Sequence, residues 1–215
     1  KKIQFSLRKI VIKGTSKYFK NMGKNWTRDH LEIFGNLGSN LGNSMKGGKI
    51  KLNGSCGDFL GCKMTGGLIM VSNNAGNYIG SADYGERKGM NGGVIVIKGN
   101  AGDYLGYMMR RGLIFVEGNS GDFSANNMIA GTIIIIEKLG KNYGIGMKRG
   151  TIITCKKPKK IDYNFFNTGT HEFNFFVILE NYLKQMGVKM NINFLKFEKF
   201  IEKNNGLAEL LIVNK

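Results

Sequence analysis

The chain has 215 residues, 42% of them hydrophobic and 22% charged, with 32 Lys and Arg against 15 Asp and Glu for a formal net charge of +17. That length allows one sizeable core, or one core with an appendage, while the lack of any run of about 18 apolar residues excludes a transmembrane helix. Lys1–Ser6 is basic but leads into no apolar segment or small-residue cleavage site, so a secretory leader is not expected and the expected location is the cytoplasm. Cys56, Cys62 and Cys155 match no zinc or redox spacing and read as reduced core or turn thiols. The charge implies an acidic partner, whether nucleic acid, a polyanionic cofactor or an acidic protein surface. Lys supplies 26 of the basic residues and is spread along the whole chain, a distribution that a solvated surface would also give.

Residues 1–28 read as an N-terminal strand or cap region. Near its end Trp26 opens an imperfect coil, with Leu31 and Ile33 as its strand and Gly38 as its bend. From there to position 155 a 19-residue repeat governs the chain. One Met anchors each unit, at Met45, Met64, Met90, Met109, Met128 and Met147. Three residues after each anchor stands a Gly: Gly48, Gly67, Gly93, Gly112, Gly131 and Gly150. A second column runs Gly57, Gly76, Gly102, Gly121 and Gly140, and the consensus is M-x-G-G-x-I-x-V-x-G-N-x-G-D-(aromatic)-x-G. The one irregular interval, between Met64 and Met90, is the repeat plus a seven-residue insertion.

A unit this short has no room for a strand, a crossover helix and a return, so successive units must stack coil on coil. The fold class is therefore all-β, a parallel (right-handed) β-helix of about seven coils. Pairs such as Ile50/Leu52, Ile95/Ile97 and Ile114/Val116 are two residues apart and share the inward face. Gly suits the bends because it accepts positive φ and close approach. The column Asp58, Asn77, Asp103 and Asp122 reads as Asx turns, since a calcium-binding repeat would have a nine-residue period. Between the inward pairs an outward stripe, Met70, Val96, Phe115, Ile134 and Ile153, is apolar in most coils. Such a stripe requires cover, from a C-terminal helix or from another subunit.

Residues 156–215 form a helix-containing appendage, opened by the KKPKK run that ends the coils. From His171 to Met186, Phe175, Phe176, Ile178, Leu179, Tyr182, Leu183 and Met186 fall on one side of a predicted helix. Opposite them stand Asn174, Glu180, Asn181, Lys184 and Gln185, and this helix is expected to cap or flank the stack. Ala208–Val213 reads as a short closing strand.

No catalytic residue, cofactor-binding motif or metal site is legible. His30 and His171 have no Ser, Cys or metal-ligand neighbour at a meaningful spacing, and no G-x-G-x-x-G precedes a helix. The one candidate for binding is a basic edge. The insertion supplies Arg87 and Lys88, and the corners that follow Met109 and Met147 supply Arg110, Arg111, Lys148 and Arg149. Either an acidic ligand or partner, or solvent alone, fits that edge.

The phrase G-M-N-G-G-V-I-V-I-K-G-N-A-G-D-Y-L-G at Gly89–Gly106, and the insertion G-E-R-K-G-M-N-G-G at Gly85–Gly93, resemble the glycine-repeat polypeptide of the formylmethanofuran dehydrogenase family. The tail T-G-T-H-E-F with its apolar helix, within Thr168–Gly187, is more similar to the bacterial formyltransferase/hydrolase form. The resemblance extends to the glycine-repeat C-terminal domain of glutamate synthase. It implies a β-helical scaffold in a one-carbon complex, with catalysis on amidohydrolase-like, formyltransferase and pterin-enzyme-like partners. It also implies a methanofuran-type carrier, tetrahydromethanopterin and metal ions in the complex and none bound by this chain alone, with neither nucleic acid nor membrane as partner. A stand-alone glutamate-synthase-type domain or binding β-helix is the alternative.

Overall fold

The structure is a computed structural model, described over residues 8–172, 175–185, 187–188, 196–203 and 206–213. Eight strands, one per coil, pair in parallel in chain order: β1 (Lys9–Thr15), β2 (His30–Gly35), β3 (Lys49–Asn53), β4 (Leu68–Val71), β5 (Asn91–Ile97), β6 (Arg111–Val116), β7 (Thr132–Ile135) and β8 (Gly150–Thr154). The fold is thus the expected parallel β-helix, with eight coils in place of about seven. The added coil is that of β1, which carries neither the anchor Met nor the Gly three residues after it and is recognised by its pairing with β2.

The register puts Ile50, Ile69, Ile95, Ile114, Ile133 and Ile152 in one ladder, all fully buried. Equivalent side chains thus stack at the spacing of paired strands, ~4.8 Å. The Met anchors are buried too, and they explain the glycines that follow them. Gly93 and Gly112 have φ of 88° and 109°. A Cβ there would lie 2.6 Å from Met64 Cε and 2.7 Å from Met90 Cε of the coil before. Anchor and glycine are therefore one packing unit split between neighbouring coils.

The Asx column differs from its sequence reading. Asp58 Oδ1 accepts the Asn77 amide at 2.7 Å, Asn77 Oδ1 that of Asp103 at 2.8 Å, Asp103 Oδ1 that of Asp122 at 2.8 Å and Asp122 Oδ1 that of Lys141 at 2.7 Å. These bonds join one coil to the next, where Asx turns would bond locally. Stacking places the equivalent amide of the next coil within reach, and that amide has no sheet partner of its own. A second such ladder runs through Asn74, Asn100 and Asn119 to the Lys138 amide.

The C-terminal segment closes the stack. β11 (Ala208–Val213) pairs in parallel with β8, β10 (Lys196–Glu202) lies antiparallel to β11, and β9 (Phe165–Glu172) antiparallel to β10. The closing strand expected at Ala208–Val213 is present, and it extends the Ile ladder through Leu210, paired with Ile152. Tyr143 and Phe165 meet beneath this cap with ring centroids 6.0 Å apart.

The helix α1 runs over Phe175–Gln185, so His171 belongs to β9 and not to a helix start. His171 Nε2 lies 3.2 Å from the Thr168 carbonyl. The helix flanks the stack, while the cap is made by the strands. Leu179, Leu183 and Val188 join one apolar cluster with Val96, Phe115, Ile134 and Ile153. The outward stripe is therefore covered by the chain itself. The helical face is narrower than the sequence suggested: Ile178 and Tyr182, assigned to the covered side, are 67% and 43% exposed. A helix lying on a flat sheet meets it along an i, i+4 line, here Leu179 and Leu183, and its flanks face solvent. Met186 and Asn174 lie outside the described residues, and so do the side chains of Phe175 and Phe176.

Where α1 does not reach, the same column is polar. Glu32, next to Lys51 in the register, is bonded by Lys9 Nζ at 2.8 Å, Lys51 Nζ at 2.9 Å and Asn53 Nδ2 at 3.2 Å. These donors, Lys9 first, hold its carboxyl down at about 2.

Candidate functional site

Each coil turns from the Asx column into the next anchor through a residue at positive φ, and in four successive coils that residue is aromatic. Phe59, Tyr78, Tyr104 and Phe123 have φ of 60°, 58°, 56° and 59°. Their rings stack face to face, with centroids 5.1, 4.9 and 5.0 Å apart and planes within 7°, 5° and 9° of parallel. The coil spacing is close to the stacking distance of aromatic rings, so a repeated aromatic becomes a continuous column. Asn40 and Asn142 hold the same left-handed place in the coils on either side and end the ladder.

The insertion stands beside this column. In ordinary coils the turn is closed by a bond from the anchor amide to the Gly three residues before, as from Met64 to Gly61 at 3.1 Å and from Met109 to Gly106 at 3.0 Å. In the insertion coil Met90 N still donates to Gly80 O, at 2.9 Å. Asp83–Gly89 thus leave and rejoin the coil without disturbing it. A turn bond from Glu86 N to Asp83 O at 3.1 Å shapes the loop. Lys63 Nζ, 3.7 Å from Asp83 and 3.4 Å from Glu86, ties it to the coil below.

The loop, the ladder and the corner residues Tyr107, Asn126 and Asn127 enclose a cleft of about 400 Å³. Tyr84, at the loop tip and 84% exposed, tilts over Phe59 with centroids 5.5 Å apart. Tyr107 is perpendicular to Tyr78 and Tyr104 at 6.2 and 6.1 Å. Burial, and then the neighbouring tyrosines Tyr104, Tyr84 and Tyr107, raise the Tyr78 hydroxyl above its ordinary value. The sequence consensus contained the aromatic column, but a residue after a Gly-Asp bend reads as part of a turn. Only the stacking and the neighbouring insertion turn it into a wall.

The six basic residues lie on a different part of the corner. Arg87 and Lys88 sit in the loop, exposed, and do not line the cleft. The amides of Arg110 and Arg111 both donate to Met90 O, and that of Lys148 donates to Met128 O. Arg110/Arg111 and Lys148/Arg149 therefore hold equivalent places two coils apart, with Ile129 and Ala130 between them. Arg110 is half-buried and the other five are exposed. Among the described residues none of the six is in an ion pair.

The other sequence candidates offer little chemistry. His30 is lowered from its ordinary value by burial and then by Lys49 and Lys9, and its Nε2 has no hydrogen-bond partner among the described residues. Cys56 and Cys62 are buried free thiols. Burial raises Cys56 to about 12 and Cys62 to about 11, which keeps both as unreactive thiols. Among the described residues no group of three or more His, Cys, Asp or Glu is placed to hold a metal ion, and no helix is long and apolar enough to cross a membrane.

Fold and site define a glycine-repeat β-helix with a binding-sized cleft on its turn side. The chain belongs to the GXGXG motif family, whose pattern matches residues 4–189. It is also similar to a chain in the crystal structure of the formyltransferase/hydrolase complex FhcABCD from Methylorubrum extorquens, determined with methylofuran. The two share 33% identity with a TM-score of 0.88, over 96% of this chain and 78% of that one. Comparison with curated proteins gives no match. Both findings agree with the resemblance carried by Gly89–Gly106 and the insertion.

Proposed function

We propose that the chain is a non-catalytic structural subunit of a cytoplasmic formyltransferase/hydrolase-type complex in tetrahydromethanopterin- and methanofuran-linked one-carbon metabolism. The observation that supports this reading is the TM-score of 0.88 at 33% identity along 96% of the chain. Formyl transfer and hydrolysis would belong to formyltransferase, amidohydrolase-like and pterin-enzyme-like partners. The methanofuran-type carrier, tetrahydromethanopterin and metal ions would be held by those partners. Since α1 already covers the outward stripe, the stripe gives no argument for a partner. The surfaces left to one are the turn side and the basic edge of Arg87, Lys88, Arg110, Arg111, Lys148 and Arg149.

Purification of the tagged chain from its native cell tests the proposal. Formyltransferase-like and amidohydrolase-like polypeptides should accompany it in fixed ratio, and the chain alone should neither transfer nor hydrolyse a formyl group. A chain that emerges without partners, or one that turns over formylated carrier by itself, would overturn it. A stand-alone glutamate-synthase-type domain or binding β-helix is the second reading. It is favoured by one observation, that the turn-side cleft is complete within a single chain.

A further inference from the structure

The seven-residue loop does nothing for the stack that the other coils lack, since the Met90 to Gly80 bond closes its coil in the ordinary way. What the loop adds is the outer wall of the cleft. It brings Asp83, Tyr84 and Glu86 opposite the ladder, and although the chain carries a net charge of +17, two carboxylates and, among the described residues, no Lys or Arg line the cleft. Lys63 spans both carboxylates, hydrogen-bonded to Glu86 Oε1 at 3.4 Å and 3.7 Å from Asp83 Oδ2, and the Tyr84 amide donates to Asp83 Oδ1 at 2.9 Å; the carboxylates stay 42% and 54% exposed, so each keeps oxygen lone pairs for another donor. The ladder rings use their faces on one another. Tyr78 and Tyr104 have both faces stacked, so Tyr107, perpendicular to them, meets only their edges. Of the cleft's tyrosines, Tyr84 and Tyr107, which stand outside the stack, are thus the ones able to offer a face to a ligand.

Aromatic faces beside carboxylates select a flat cation. A guanidinium stacks on tyrosine and presents a fork of N–H donors to carboxylate oxygens, whereas an ammonium does only part of this. We infer that the cleft between the aromatic ladder and the inserted loop is a docking site for an arginine side chain presented by a partner polypeptide. The inference rests on the reading of the chain as part of a complex. It adds the surface and the chemistry of contact.

Two measurements on the whole chain test it. In the first, tyrosine ring signals are followed by NMR during titration with N-acetyl-arginine amide and with its uncharged isostere N-acetyl-citrulline amide. The arginine probe should shift Tyr84 and Tyr107 saturably, the citrulline probe should not, and Tyr84→Ala or Glu86→Gln should weaken the arginine titration about tenfold. Deletion of residues 83–89 should abolish it while the chain still melts cooperatively; if the deletion variant fails to fold, Tyr84→Ala decides. Equal response to both probes, or a response unchanged in the variants, overturns the inference.

In the second, tagged wild-type and Tyr84→Ala chains are recovered from the native cell and the formyltransferase-like and amidohydrolase-like polypeptides are quantified. Loss of one of them with the variant supports the docking site. Equal recovery overturns the docking site and leaves the complex standing, whereas no recovery with wild type overturns the complex reading itself.

Discussion

The outward column of the sheet, Val96, Phe115, Ile134 and Ile153, and the outward column of the turns, Phe59, Tyr78, Tyr104 and Phe123, are both apolar ladders four coils tall. The first is buried under α1 and the second is only half-buried. The side chains account for the difference. Aliphatic groups standing on a flat sheet leave their tips in water and need an external cover. Stacked rings cover one another's faces and leave only edges outside. One ladder therefore occupies the helix, and the other remains available as a wall.

The largest effect should come from the support common to both. Ile114→Asp places an unpaired carboxylate in the inward ladder, at a cost of about 5 kcal/mol or more, comparable to the whole stability of many domains. The variant should lose its cooperative melting and its solubility, and a folded variant with unchanged melting would show the register to be wrong. Next is the covered ladder. Leu183→Ala, at a fully buried contact of α1, should cost about 3 kcal/mol. Amide exchange should then quicken in α1 and leave β5 and β6 protected; protection lost evenly throughout would mean that helix and stack unfold as one.

The open ladder should respond less and in an unusual order. Tyr104→Ala removes two stacked ring contacts and the edge contact with Tyr107 at a half-exposed site, for about 1–2 kcal/mol. Because Tyr104 has a φ of 56°, Tyr104→Gly should be the milder of the two changes by about 1 kcal/mol. Chemical denaturation of the pair measures this, and an alanine variant as stable as the glycine variant would remove backbone strain from the account. The smallest effect belongs to the polar end of the sheet column. Glu32 is held at about 2 against an ordinary value of 4.5. Its contribution is thus present in full above pH 4.5 and disappears as the pH falls through about 2. The difference in melting temperature between wild type and Glu32→Gln should follow that course, and a difference independent of pH would exclude the ion pairs as its source.

The stack was legible because its cause is periodic: Met and Gly recur together, and Ile50 to Ile152 could be placed in one ladder from spacing alone. What escaped depends on relations between coils or on position along the axis. The oxygens of Asp58 and Asn77 reach an amide 19 or 26 residues away, and nothing in a single turn distinguishes that from a local Asx turn. The coil of β1 lacks the anchor Met and the Gly that follows it, so its pairing with β2 reveals it. Apolar spacing identified α1, but how much of its circumference meets a flat sheet is a matter of tertiary packing, and Ile178 and Tyr182 were misplaced for that reason. The insertion was visible, and its Arg87 and Lys88 drew attention by charge. The cleft is made by Asp83, Tyr84 and Glu86 of the same loop, whose role depends on rings contributed by other coils.

The insertion would also leave a mark on the mechanics of the molecule. The bonds between coils, from the sheet ladder to the Asx ladders, run along the stack axis, so a force applied to the N-terminus peels coils away singly instead of shearing them together. Each ordinary coil of 19 residues should release about 65 Å of chain as it detaches. The coil that carries Asp83–Gly89 should release about 25 Å more. Pulled in an optical trap, the coils ahead of the C-terminal cap should extend in near-equal steps interrupted by a single long one, whose place in the series marks the loop.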